Sequence, residues 1–403
     1  MEFRRINGLP PYVFATINGL KAEARAAGRD VVDFGFGNPD LPSPDVAVEK
    51  LSEAAHNPRN HRYSASRGIP NLRAAMAARY RAVFGVELDP ETEVITTIGA
   101  KEGLTHLMWV LLGPGDTALV PTPSYPIHLA APGFAGAQVL TVDVADPGDD
   151  PTPGATFFAR LVERWNEATI KPRVLICSFP HNPTSACVDL AFMEQLVGFA
   201  RERDLIICHD FAYADLGFDG YQPPSILQVP GAKDCCVELY TLTKSFSMAG
   251  WRVGFLVGNA AVVAALTKLK SYLDYGTFQP VQIAAIVAMN EAPEYPAHLR
   301  TIYQSRRDAL IEGLGRIGWP VAPPRGSMFV WAPIPEPYRA MGSLDFARLL
   351  IESADVATSP GVGFGEGGDA HVRFALIENE LRTHQAIRSL RRALPELAAS
   401  VSG

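Results

Sequence analysis

Five short apolar runs, at residues 93–97, 117–120, 174–178, 205–208 and 237–240, alternate with stretches in which apolar residues recur every three to four positions. Runs of that length and composition are buried strands, and the intervening period is helical, as in Leu104, Leu107, Met108, Leu111 and Leu112. A chain that alternates in this way folds around an open α/β sheet, and such sheets gather functional groups at the C-terminal ends of their strands. Just beyond the five runs lie Gly99, Tyr125, Asn182, Asp210 and Lys244.

Lys244 belongs to the segment Tyr240–Gly254, YTLTKSFSMAGWRVG, which joins the apolar run 237–240 to a second one at 252–258. A lysine on a polar loop between two core strands is partly desolvated, and that favours the neutral, nucleophilic amine. An arbitrary loop lysine is solvated and silent. Here Thr241, Ser245, Ser247 and Arg252 stand close by in sequence, and hydroxyls with a guanidinium converge well on an anion.

The other strand ends carry chemistry of their own. A strand broken by Gly99 before a helix makes an anion site, because unpaired amides and the helix dipole point at the turn. Gly99, Ala100 and Lys101 are therefore phosphate-binding candidates, although the same string also suits an ordinary strand-to-helix connection. The proline-rich string 121–126 is rigid and presents the π face of Tyr125. Asn182 follows the run 174–178, beside a histidine, His181, read as structural or solvated. Asp210 ends a buried strand and needs a partner there, or else serves as a helix N-cap. Arg373, inside the apolar run 371–375, needs an anion, either a ligand or a buried carboxylate. The remaining chain reads as a helix at 12–27, a strand at 31–36, a Gly-Asn-Pro turn at Gly37, and a helix at 72–84. Further on come a surface excursion at 142–154, helices at 157–168 and 190–203, and one long helical stretch from 280 past 307. A strand-like run at 326–331 and a closing helix at 381–397 complete it.

The lysine segment, with GNPD, GAKEGL, PSYPIH, the Asn-Pro-Thr string, HDFAY and HVRFALIENE, resembles the class I/II aminotransferases, pyridoxal-phosphate enzymes of fold type I, in the family's order from Gly37 to Arg373. The resemblance implies a large α/β domain with a mostly parallel seven-stranded sheet flanked by helices, and a small α+β domain from both termini. It divides the chain at 1–40, 41–289 and 290–403. It implies that Lys244 forms the Schiff base with pyridoxal 5′-phosphate, that Asp210 holds the pyridine nitrogen, that Tyr125 stacks on the ring, and that Asn182 and Tyr213 meet its phenolic oxygen. Gly99, Ala100, Lys101, Thr241 and Arg252 would hold the phosphate, while Gly37, Asn182 and Arg373 would hold the substrate. Tyr63, in the segment 61–68, would reach the phosphate of a neighbouring subunit, which implies a homodimer. Ser185 departs from the family's usual glycine, so the Asn182 loop is expected to be shaped differently.

The implied activity is ping-pong transfer of an amino group between an L-amino acid and a 2-oxo acid. PSYPIH, GAKEGL and HVRFALIENE look like the glutamate–pyruvate subgroup and favour alanine with 2-oxoglutarate. Aspartate, methionine, aromatic amino acids and LL-diaminopimelate stay open, as do a pyridoxal-phosphate β-lyase and a silent pyridoxal-phosphate-binding regulatory module. A length of 403 residues accommodates two domains, and a net charge of −7 argues against a nucleic-acid surface. Five cysteines without metal-type spacing read as reduced thiols. With no apolar run of membrane-spanning length and no signal-peptide core, a soluble cytoplasmic protein without a structural metal is expected.

Overall fold

The N-terminal segment contributes only a two-residue strand, β1 (Val32–Asp33), because the Gly35 amide turns back to Asp33 Oδ1 at 2.9 Å and ends the ladder expected to reach residue 36. The structure, a computed structural model, describes residues 13–144, 148, 150 and 152–395. Expectations for residue 12, for most of 145–151 and for 396–397 lie outside the described residues.

Strands with two apolar faces belong in the middle layer of an α/β/α arrangement. Seven do so: β2 (Val94–Thr97), β3 (Thr117–Thr122), β4 (Gln138–Asp143), β5 (Val174–Cys177), β6 (Ile206–Asp210), β7 (Cys236–Thr241) and β8 (Gly254–Gly258). Their order is β2-β8-β7-β6-β5-β3-β4, and β8 alone runs antiparallel to its neighbours. On one face Ile95, Val120, Ile176, Cys208, Leu239 and Leu256 pack against the helices Ala100–Leu111 and Ala260–Leu273. On the other, Leu119, Leu175, Ile207, Tyr240 and Phe255 pack with Phe157, Phe179 and Phe192.

A second core forms from both ends of the described chain. β9 (Phe329–Pro333), β10 (Val356–Ala357), β11 (Ser359–Pro360) and β12 (His371–Ala375) make an antiparallel sheet β11-β12-β9 and a parallel pair β1-β10. Val32 lies opposite Val356, and Phe34 joins Trp319, Phe346 and Phe374 in one apolar cluster.

Three expectations are corrected. The long helix from 280 is two helices, Gln279–Glu291 and Tyr295–Arg316, since Pro293 and Pro296 each lack the amide that an uninterrupted helix would need. The surface excursion begins later than expected, because Gln138–Asp143 pairs with β3 as an edge strand. Lys244 lies on a single helical turn, Leu242–Ser245, rather than a loop, and Thr241 caps that turn by accepting the Thr243 amide at 3.2 Å. Among the described residues no helix is long and apolar enough to cross a membrane, and all five cysteines are unbridged.

Trp319 is 2% exposed, stands edge-on to Phe346 and Phe374, and donates Nε1–H to Pro333 O at 2.8 Å. Trp319→Ala should cost about 3–5 kcal/mol, read as a lowered denaturant midpoint. An unchanged midpoint would show that this cluster does not anchor the terminal core.

Candidate active site

The direction of the sheet places the chemistry. β3, β5, β6 and β7 are parallel, so the segments after them emerge on one edge, and antiparallel β8 starts where β7 ends, with Gly254 opposite both Thr241 and Thr97. Arg252, two residues before β8, is thereby delivered to the same edge. β12 approaches from the second core with Arg373. The result is a cavity of about 370 Å³ lined by Gly37, Ala100, Lys101, Tyr125, His128, Asn182, Asp210, Tyr213, Thr241, Lys244, Arg252 and Arg373, among others. Of the residues expected to act together, Gly99 borders this cavity through Arg252, and Tyr63 stands apart from it.

Lys244 Nζ donates to Gly37 O at 2.6 Å. Burial depresses its pKa from 10.5 to about 7, and the positive charges of Arg373 and Arg252 push the same way. A large share of the amine is therefore neutral at physiological pH.

Asp210 is buried, and its Oδ2 receives His128 Nε2–H at 2.8 Å. A carboxylate oxygen only accepts, which assigns an imidazole proton to Nε2, and His128 Nδ1 stands 2.9 Å from the Ser124 hydroxyl. The Ala212 amide lies 3.3 Å from Oδ1. His128 and Ser124 were not singled out from the sequence, although His128 sits in PSYPIH, three residues after Tyr125 and on the first turn of the helix Pro126–Phe134. That spacing was the available signal, because a side chain there points back over the preceding strand end.

Asn182 bridges two partners. Its Oδ1 accepts Arg373 Nη1–H at 2.7 Å, and its Nδ2 lies 3.4 Å from Tyr213 Oη. Burial pushes the Tyr213 phenol well above its ordinary pKa, against the Arg373 charge, so it is present as a hydroxyl. The Arg373 guanidinium lies 3.9 Å from the Phe329 ring centre and 4.5 Å from that of Phe364, and it also reaches Ser359 Oγ at 3.3 Å. Ser185 adopts φ of 60°, the left-handed conformation for which glycine is usual, and its Oγ bonds Ser327 Oγ at 2.8 Å and Phe329 O at 2.9 Å. Serine here exchanges glycine's freedom for two bonds that tie the Asn182 loop to β9.

The phosphate candidates form a cradle. Gly99 caps the helix Ala100–Leu111 with φ of 78°, and a Cβ there would stand 2.2 Å from Arg252 Nη2. Gly254 is pressed against the same turn, since a Cβ on it would lie 2.9 Å from Ala100 N. Arg252 is exposed and bonds Ile98 O and Ala249 O at 3.3 and 3.0 Å. Lys101 is exposed, with Nζ 5.7 Å from the Tyr125 ring centre. Helix-end amides, a guanidinium and a buried carboxylate across a flat aromatic face are a donor set that suits a phosphorylated pyridine. The side chains present therefore fit pyridoxal 5′-phosphate. Tyr63 is 85% exposed and lies against Tyr275 in a tilted ring pair, 4.4 Å between ring centres.

A larger cavity of about 590 Å³ near Tyr221 has Asp189 and Arg325 as its charged lining groups. Both are engaged, Asp189 in capping the helix Leu190–Arg201 and Arg325 over the Tyr221 ring. Convergent chemistry lies in the smaller cavity.

Residues 29–388 match the family model Aminotransferase class I and II. The glutamate-pyruvate aminotransferase AlaC of Escherichia coli is 51% identical over 390 residues, covering 97% of this chain and 93% of that protein. An LL-diaminopimelate aminotransferase of Moorella thermoacetica is 41% identical, covering 98% of both chains. Among solved structures, substrate-bound BacF from Bacillus subtilis superposes with a TM-score of 0.87 at 33% identity, covering 97% of each chain. A Thermus thermophilus aspartate aminotransferase mutant does so at 0.89 with 28% identity, covering 98% of this chain and all of that one.

Gly99→Ala places a methyl group where the Arg252 guanidinium lies and forces a positive φ on a residue with a Cβ. It should weaken pyridoxal 5′-phosphate binding by about tenfold or more, measured by titrating apoprotein with the cofactor. Unaltered affinity would remove this turn from the phosphate site.

Proposed function

This chain belongs to the class I and II aminotransferases, pyridoxal 5′-phosphate enzymes, and from that premise we propose that it exchanges amino groups between alanine and 2-oxoglutarate, with Lys244 as the catalytic lysine and Arg373 as the substrate clamp. The observation that carries the reading is the Lys244 amine, depressed to about 7 inside a cavity that Arg373 also lines. The 51% identical relative named for glutamate and pyruvate supports the choice of substrate. A second reading, LL-diaminopimelate as donor, is supported by the relatives that carry that name.

When bound, the cofactor supplies the carbonyl that takes up the amino group and a ring that withdraws electrons from the reacting carbon. The protein supplies the rest. The Gly99 turn, Ala100, Lys101, Thr241 and Arg252 would hold the phosphate by amide, hydroxyl and cationic contacts. Asp210, kept in place by His128, would pair its carboxylate with the ring nitrogen, and Tyr125 would supply the stacking face. Tyr213 and Asn182 would donate to the phenolic oxygen. Arg373 holds the substrate α-carboxylate by a two-pronged contact, with Asn182 fixing one of its arms, which orients the Cα–H bond for proton removal. Lys244 Nζ then takes that proton, a task suited to an amine poised near neutrality. Its present acceptor, Gly37 O, belongs to the turn that lies over the substrate position.

We further propose a cytoplasmic homodimer in which Tyr63 reaches the partner's phosphate. Tyr63, Tyr272, Tyr275 and Phe278 are exposed on the isolated chain, an aromatic surface suited to a second copy. Unbridged cysteines agree with a reducing compartment. The division of the chain at residues 40 and 289 agrees with the two apolar cores described above.

The amino-acid reading is tested with stoichiometric holoenzyme and no 2-oxo acid. Alanine should yield about one equivalent of pyruvate per subunit and no ammonia. Sustained release of ammonia and pyruvate from an S-substituted cysteine, which unlike alanine carries a β leaving group, would favour a β-lyase, and a larger kcat/KM for LL-diaminopimelate would establish the second reading. Lys244→Ala should retain cofactor affinity through the phosphate contacts and lose about 10²–10⁴-fold or more in turnover; turnover within tenfold of the parent would show another group moving the proton. Because only the neutral amine attacks a carbonyl, the rate at which apoprotein captures the cofactor covalently should rise with pH through about 7 and level off above it. A rise centred near 10.5 would mean that the amine is solvated.

A further inference from the structure

His209 and Glu238 take no part in the chemistry above, yet both are fully buried, directly opposite each other on β6 and β7. Successive strand residues point to opposite faces, so His209 lies on the side of the sheet away from Asp210. The Glu238 carboxylate is buried among neutral donors: Tyr80 Oη at 2.7 Å and Ser225 Oγ at 2.8 Å on Oε1, and His209 Nδ1 at 2.8 Å and the Ile226 amide at 3.0 Å on Oε2. The other imidazole nitrogen, His209 Nε2, accepts the Phe179 amide at 3.2 Å. A nitrogen that accepts an N–H carries no proton, so the single imidazole proton sits on Nδ1, directed at Glu238.

Phe179 opens the loop that carries Asn182. The loop closes on itself through His181 N to Ala186 O at 2.9 Å and Ser185 N to His181 O at 2.8 Å. Its far end is tied to β9 by Ser185 Oγ, and its near end by the Phe179 amide on His209. Asn182, which bonds Arg373 Nη1, hangs between these two anchors.

We propose that His209 and Glu238 form a buried positioning dyad that selects one imidazole tautomer, fixes the start of the Asn182 loop, and thereby sets how Asn182 and Arg373 grip the substrate α-carboxylate. The proposal rests on the assignment of Arg373 to that carboxylate. The phosphate cradle is built from different segments, and Asn182 is only one of two groups proposed at the phenolic oxygen, so the dyad acts on substrate affinity far more than on cofactor affinity.

The test uses holoenzyme and compares KM for alanine and 2-oxoglutarate with Kd for pyridoxal 5′-phosphate. His209→Leu removes the acceptor and leaves a buried amide unpaired, so both KM values should rise about tenfold, with the cofactor Kd within about twofold of the parent. In His209→Gln the side-chain oxygen can take the Phe179 amide, and most of the loss should be recovered. Glu238→Gln can keep its oxygen on Nδ1–H and the Ile226 amide and turn its NH2 to the Tyr80 and Ser225 hydroxyls, which can accept, so its KM values should stay within about threefold of the parent. Glu238→Leu leaves Nδ1–H unpaired, and its KM values should rise as in His209→Leu. Where the leucine variants fold poorly, 15N NMR of the parent holoenzyme decides: the His209 proton should be found on Nδ1, and a proton on Nε2 would overturn the dyad. Parent-like KM values in folded Glu238→Leu, or cofactor Kd rising in step with KM, would overturn it too. So would a His209→Gln variant no better than His209→Leu. Arg373→Ala separates the levels: a normal KM there overturns the carboxylate assignment itself, whereas a raised KM there with a normal one in Glu238→Leu overturns the dyad alone.

Discussion

The site is organised by an electrostatic imbalance. Among the described residues, Lys101, Lys244, Arg252 and Arg373 line one cavity together with the Asp210 carboxylate. Burial is the larger cause of the Lys244 depression and the Arg373 and Arg252 charges add to it; since guanidinium groups do not release their protons, the enclosed lysine gives up much of its charge. In the proposed roles, a phosphate beside Arg252 and a carboxylate beside Arg373 would relieve the same imbalance. The cations that help make the lysine a base would thus also recruit cofactor and substrate.

Such an arrangement persists only if the surrounding polar groups cannot relax. Beneath the lysine segment, Arg79 reaches Tyr240 Oη at 2.7 Å and Asp215 at 2.6 Å, and Tyr240 itself bonds Asp215 at 2.6 Å, all three buried. A buried pair of this kind adds little net stability because of desolvation, but breaking it is costly, so it enforces one geometry. Asp210 is fixed by His128 and Ser124 in the same manner. The bond from Arg373 to Asn182 and the serine pair Ser185–Ser327 join the two cores across the site.

Much of this was legible beforehand because strand ends and helix starts are local features. The apolar runs located six strands of the large sheet, β2, β3, β5, β6, β7 and β8, and Gly99, Asn182, Asp210 and Lys244 lie at or just beyond the ends of four of them. Edge strand β4 was missed because its partly exposed pattern lacks a continuous apolar run, and the break after residue 291 because two prolines were read within a helical period.

By itself the chain determined the residue types, the alternation of strand and helix, and hence the single sheet edge at which the reactive groups emerge. The tertiary structure decided which of them touch. Residue 128 meets residue 210, residue 179 meets residue 209 and residue 373 meets residue 182 through pairings set by strand order and by the docking of the second core, and neither of these is encoded in local periodicity. The depressed lysine has the same origin, since desolvation and the charges of Arg373 and Arg252 come from segments brought together only in three dimensions.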